Sequence, residues 1–120
     1  MRELTSHKVN GLNEALSIHI CDEPGSGGGH HTYHIDWPPN PKRCVSILFQ
    51  NGPISEVGVN GISNESLLAI LVHRLQCFQA GQYACRENAL ALTKLEEAMH
   101  WLHHRTRERA ARGVEGTSQK

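Results

Sequence analysis

The run CRENALALTKLEEAMHWLHHRTRERAARG, residues 85–113, decides the fold. Leu92, Leu95, Met99 and Leu102 recur at alternating steps of three and four, which places them on one stripe of an α-helix. Glu96 and Glu97 stand N-terminal to a basic end, in accord with the helix dipole, and Gly113 supplies a stop. Working backwards, Leu67, Leu68, Leu71, Leu75 and Phe78 predict another helix over about 64–80. Ser63 or Asn64 suits its N-cap, and Gly81 suits a left-handed position after its end. The connection GQYA is so short that the two helices must run antiparallel. After Gly113 only Val114 could join a core, so the tail 114–120 is expected to be disordered beyond about Thr117.

Upstream of the hairpin the apolar period changes from helical to alternating. Residues from Leu12 to about Glu23 are expected to form a strand, with Ile18 and Ile20 on one face and His19 and Cys21 on the other. PGSGGG, residues 24–29, then makes a flexible tip. HHTYHIDW returns as a second strand, with Thr32, His34 and Asp36 opposite Tyr33, Ile35 and Trp37. WPPNPK cannot donate a continuous ladder and reads as a rigid connector. RCVSILFQ is the strongest strand, and NGPISEVGVNG reads as a turn, a short extended piece and a second turn. The expected class is α+β: a small antiparallel sheet of three to four strands followed by an antiparallel two-helix hairpin. One domain spans 1–120, with its sheet part at 12–59, the hairpin at 63–113 and the tail at 114–120.

At 120 residues, with twelve basic and twelve acidic side chains, the chain carries no overall field for a nucleic-acid polyanion or an anionic membrane. Any phosphate binding must be local. No stretch approaches the length of a transmembrane span, and MRELTSHKVNG lacks an apolar signal-peptide region, so a cytoplasmic protein is expected. Cys21, Cys44, Cys77 and Cys85 show no CxxC spacing and are expected to be small buried hydrophobes. With two residues each of Trp, Tyr and Phe the core must be aliphatic, and association between copies would supply burial that a small domain lacks.

The chemistry-bearing residues lie in the hairpin. Arg105, Arg109 and Arg112, at i, i+4 and i+7, form one stripe, with Arg107 in the same last turns and Arg86 at the far end of the same helix. Basic residues here would serve the helix dipole and solvation. They would equally fork onto phosphate oxygens, and mutually repelling guanidiniums call for an anion or a neighbouring subunit's acids beside them. Phe78, Gln79, Asn88 and Thr93 gather at the bend. Phe78 can pack under it or offer a face to a purine, and Asn88 can cap the helix or read a base edge. PGSGGG lacks the following Lys-Ser/Thr and helix of a Walker loop. His100, His103 and His104, and His30, His31 and His34, lack ligand partners at zinc spacing, so no metal is expected. No nucleophile elbow and no activated thiol mark an enzyme, and no cofactor is implied.

The run FQAGQYACRENALALTKLEEAMHWLHHRTRERAARGVEGT, residues 78–117, resembles the hairpin domain shared by the Thoeris anti-defence sponge and the anti-CBASS sponge of tailed phages. ACRENALALTKLEEA and ARGVEGT are its most specific words, and NGPISEVGVNGISNESLLAILVHRLQCF extends it. The anti-CBASS type is similar in its helices only, whereas the Thoeris type also has an N-terminal antiparallel sheet. The resemblance implies a non-catalytic phage protein of the host bacterial cytoplasm. It would bind glycocyclic ADP-ribose, in some members cyclic di- or trinucleotides, within a homo-oligomer, a dimer or a hexamer. It further implies Phe78 stacking on a purine, Asn88 hydrogen-bonding, Arg105, Arg107 and Arg109 on phosphate or ribose, and residues 113–117 closing the site.

Two other classes compete with that reading. One is a structural or protein-interaction module in which the arginines pair with another protein's acids. The other is nucleic-acid binding through the basic end, which neutral net charge and Glu96 and Glu97 disfavour.

Overall fold

In the computed structural model, which describes residues 2–120, four strands form one antiparallel sheet in sequence order. They are β1 (Arg2–Leu4), β2 (Ser17–Ile20), β3 (Thr32–Trp37) and β4 (Arg43–Leu48). Cross-strand partners share a face, and the register sorts the side chains. Leu4, Ile18, Ile35 and Val45 make one row and Arg2, Ile20, Tyr33 and Ile47 another. The opposite face carries the row Glu3, His19, His34 and Ser46. The alternation expected for Ile18, His19 and Ile20 and for residues 32–37 is therefore present, Cys21 lies just beyond β2, and the class is α+β with four strands. Phe49 closes the apolar face by meeting Tyr33 edge-on at 5.7 Å between ring centres.

Three expectations about this sheet are corrected. Residues 11–15 are a short helix, α1 (Gly11–Ala15), rather than strand, because the Asn10 side chain accepts the Asn13 N–H and caps it. The sheet also begins earlier than residue 12, since β1 pairs with β2. Nor is the glycine tip free. Asp22 accepts the His31 N–H at 2.8 Å, His31 Nε2 lies 3.0 Å from the Ser26 carbonyl, and the Ser26 N–H donates to Asn51 Oδ1.

The segment after β4 contains a helical turn, α2 (Ile54–Val57), where an extended piece was expected, because Pro53 presets the backbone and Glu56 sits in the first turn. Its two Asn-Gly words form a clasp. Asn60 Oδ1 accepts the Asn51 N–H at 2.9 Å while Asn60 Nδ2 donates to the Asn51 carbonyl at 2.8 Å. Gln50 adds bonds to Asn60, Gly52 and Gly58. A parallel bridge between Phe49 and Ile62 seals the loop. Any side chain at Gly61 would run into the Phe49 backbone.

The helical part consists of α3 (Asn64–Gln79) and α4 (Arg86–Ala111), which pack on each other. Ser63 caps α3 through a reciprocal capping box with Ser66. The less exposed residues of α3 include Glu65, Leu68, Val72, Leu75 and Gln79, and those of α4 include Asn88, Leu92, Leu95, Met99, Leu102, Thr106 and Arg109. Steps of three and four along both helices make this a coiled-coil-like seam, apolar in the middle and polar at its ends. Gly113 has the left-handed φ of 74° that ends α4. Gly81 does not play that part: Ala80 is the C-cap, in a right-handed conformation, and Gly81 is absent from the left-handed glycines.

Burial is sparse. Ile20, at 5% exposure, is the one buried apolar side chain among the described residues, while Ile70, Leu71 and Trp101 stand 57%, 46% and 66% exposed. The four cysteines are exposed, against the expectation of buried hydrophobes, because a core this thin does not enclose them. The chain divides into two compact units, up to Ile62 and from Ser63 onward.

Candidate functional site

At the bend, α3 ends by placing Phe78 and Gln79 on different faces. Phe78 is 41% exposed and carries the Arg74 guanidinium 5.4 Å from its ring centre, a cation–π contact between residues four apart on the helix. Arg74 went unnoticed in the sequence, although its i, i+4 spacing to Phe78 was there to find. Gln79 turns inward and its Oε1 accepts the Cys85 N–H at 3.0 Å. Cys85 then caps α4, its Sγ accepting the Asn88 N–H at 3.4 Å. Asn88 is thus not the cap; it is the half-buried first residue of the α4 seam.

At the far end of α4, the predicted arginine stripe divides by environment. Arg109 is 8% exposed and stands as the buried charge among the described residues. Its Nε donates to Glu115 at 3.2 Å, one terminal nitrogen to the Gln119 carbonyl at 2.7 Å, and the other to the Val114 and Thr117 carbonyls at 2.9 and 3.1 Å. The stripe therefore has an internal counter-charge, Glu115, which the sequence reading had sought in a ligand or a neighbouring subunit. The tail is likewise held rather than loose, since Arg112 also donates to the Lys120 carbonyl at 2.8 Å. Arg105, Arg112 and Lys120, with Glu108, line an open cavity of about 290 Å³ against Arg109. With Arg109 the lining holds four cationic side chains and one carboxylate, and Arg109 is already paired with Glu115, so the cavity carries an excess of positive charge. Arg107, between Arg105 and Arg109 in sequence, is exposed and outside that lining.

The two groups of side chains are not brought together within one chain. Asn88 and Arg105 are seventeen residues apart on α4, about 26 Å along a helix axis at 1.5 Å per residue. One small nucleotide cannot touch both.

Two histidines of the sheet part are hydrogen-bonded locally. His30 Nδ1 lies 2.8 Å from the Asp22 carbonyl, and His34 Nδ1 lies 3.2 Å from Ser46 Oγ. The Asp22 carboxyl is held below the usual carboxylate range, chiefly by the His31 N–H it accepts; desolvation opposes this, and the Thr32 N–H and nearby His30 and His31 add to it. Among the described residues no group of three or more His, Cys, Asp and Glu side chains could hold a metal ion. Nor is any helix long and apolar enough to cross a membrane.

A four-stranded antiparallel sheet followed by a helical hairpin, with a cation-rich cavity at the far end of its second helix, defines an α+β protein of the helical-hairpin class. The family model described as "Acb2/Tad1, hairpin domain" matches residues 42–107, more than half of the chain, and the chain belongs to that family. It is also 54% identical over 78 residues to "Thoeris anti-defense 1" of Bacillus phage SBSphiJ7. That alignment covers 65% of this chain and 55% of the relative, so the chain spans little more than half the relative's length. The family match takes in β4, the clasped loop, α3 and α4 as far as Arg107, and leaves Arg109, Arg112 and the tail outside it.

Proposed function

We propose that this is a phage anti-defence protein that acts against Thoeris immunity by binding a cyclic nucleotide signal and withholding it from its effector without cleaving it. Glycocyclic ADP-ribose is the leading ligand, with cyclic di- and trinucleotides as further ones, and the host bacterial cytoplasm is where it would act. Membership of the hairpin-domain family and the likeness to a Thoeris anti-defence protein support the biological setting. The chemistry supports the ligand class. Phe78 offers one ring face to a purine while Arg74 covers the other, Gln79 and Asn88 supply amides, and Arg105 and Arg112 of the cavity, with exposed Arg107 outside it, supply guanidiniums for phosphate or ribose oxygens.

The observation that carries the reading is the separation of these two groups by about 26 Å along α4. A single site needs both, so it is composite: the bend of one protomer faces the basic end of another, as antiparallel packing of two hairpins allows. Exposure argues for such association. The isolated chain exposes 8660 Å². Even two separate compact bodies, each of half its 13.3 kDa mass, would together expose only about 7,800 Å². The excess, about 900 Å², is what one partner gives to an interface of standard size. We therefore take the protein to act as a homo-oligomer, a dimer or a hexamer, in which enclosure between subunits would provide the preorganised pocket that tight sequestration demands.

The test is complementation. Phe78→Ala and Arg105→Ala chains should each bind glycocyclic ADP-ribose poorly, whereas unfolding and refolding them together should restore sites made of one intact half from each. Failure of the mixture to exceed either variant alone would overturn the composite site. The competing reading, an interaction module whose exposed Ile70, Leu71 and Trp101 meet another protein, predicts that neither substitution touches a nucleotide affinity, there being none.

A further inference from the structure

Arg109 does something different from its neighbours on the stripe. A guanidinium that binds a ligand keeps its N–H donors directed outward, yet Arg109 spends Nε and both terminal nitrogens on Glu115 and on the carbonyls of Val114, Thr117 and Gln119. These acceptors lie on one segment, the tail that reverses direction at Gly113. Backbone bonds reinforce the reversal, Val114 N–H to the Arg109 carbonyl at 3.0 Å and Thr117 N–H to the Val114 carbonyl at 3.1 Å. At the end of the segment Lys120 reaches the cavity lined by Arg105 and Arg112, and Arg112 donates to the Lys120 carbonyl. Desolvating one guanidinium costs several kcal/mol unless its donors are satisfied, and a fan of carbonyls capped by one carboxylate satisfies them.

We propose that Arg109 is a positioning residue: it does not meet the anion but pins residues 114–119 against the end of α4, and so builds the wall that sets Lys120 and Arg112 beside Arg105. This rests on the anion-binding reading of that cavity. It assigns the phosphate-facing charge to Arg105, Arg112 and Lys120 and removes Arg109 from the ligand's contacts.

Arg109→Lys keeps the charge and loses the fan; Glu115→Gln keeps the arginine and loses its partner. Both are compared with Arg105→Gln and the unaltered full chain, by hydrogen exchange at the Val114 and Thr117 amides without ligand and by calorimetric titration with inorganic pyrophosphate. The latch predicts that Arg109→Lys releases both amides to faster exchange and weakens pyrophosphate binding by roughly tenfold, the scale of one charge-assisted hydrogen bond. Arg105→Gln should weaken pyrophosphate with the amides still protected. Glu115→Gln decides the sign. It raises the local charge by one, so an Arg109 that met the anion would bind pyrophosphate more tightly once freed; the latch predicts weaker binding. Tighter binding in Glu115→Gln, or full Val114 and Thr117 protection in Arg109→Lys, overturns the proposal. If the unaltered chain fails to bind pyrophosphate, the anion-site reading itself fails and this inference falls with it. A latch that fails alone shows retained protection while the unaltered chain binds.

Discussion

Single residues in this protein settle where the chain must fold tightly and where it is free to bind. Gly61 lies so close to the Phe49 backbone that no Cβ fits, and relief would break the bridge that seals the loop. Gly61→Ala should therefore lower stability by about 2 kcal/mol, read as a shifted urea midpoint, in line with overpacking elsewhere. Asp22 gives a pH dependence of defined sign. Its folded carboxyl is held below the ordinary value of 3.8, so it contributes stability above that value, and the contribution is lost as pH falls through the folded value. Melting temperatures of the natural chain and of Asp22→Asn should thus lie furthest apart near neutrality and converge in acid below about pH 4. Divergence on acidification would contradict the assignment. Phe78 is the counter-example, a large apolar residue left 41% exposed. Phe78→Ala should cost little stability but roughly 1–3 kcal/mol of nucleotide binding, measured by calorimetry.

At the scale of elements, the long helices owe their place to devices that a sequence displays. Ser63→Ala should cost about 1 kcal/mol by thermal unfolding, because it breaks a reciprocal cap at the start of α3. The hairpin was legible because sixteen and twenty-six residues give the three-four repeat room to declare itself and because Gly113 marks its end. Short elements carry no such signal. Five-residue α1 and four-residue α2 span barely a turn each, so periodicity could not distinguish them from extended chain, and three-residue β1 exists only through its pairing with β2. The stripe of Arg105, Arg109 and Arg112 was readable as spacing. Its division was not, since Glu115 reaches Arg109 only after the chain reverses, and nothing in one-dimensional spacing sets the carbonyls of 114–119 around a guanidinium. The exposed cysteines were misjudged for a related reason: the expectation assumed a core, and among the described residues Ile20 alone is a buried apolar side chain, which does not provide one.

For the whole molecule the decisive quantities are exposed area and the distance between the two halves of the proposed site. A chain exposing 8660 Å² at this mass should not persist as a monomer, and sedimentation should give a multiple of 13.3 kDa at micromolar concentration. On the proposed function, sequestration would rest on enclosure between copies and on protein in stoichiometric excess over the signal. A ligand present at 100 times its dissociation constant should add about 2.7 kcal/mol to the stability of the assembly. The most direct measurement mixes glycocyclic ADP-ribose with an equal or greater amount of protein sites, removes the protein by filtration, and then heats the retained fraction. Depletion of the signal from the filtrate, followed by its intact release on denaturation, is the predicted result. A signal left free in the filtrate, or released only as fragments, would contradict the account.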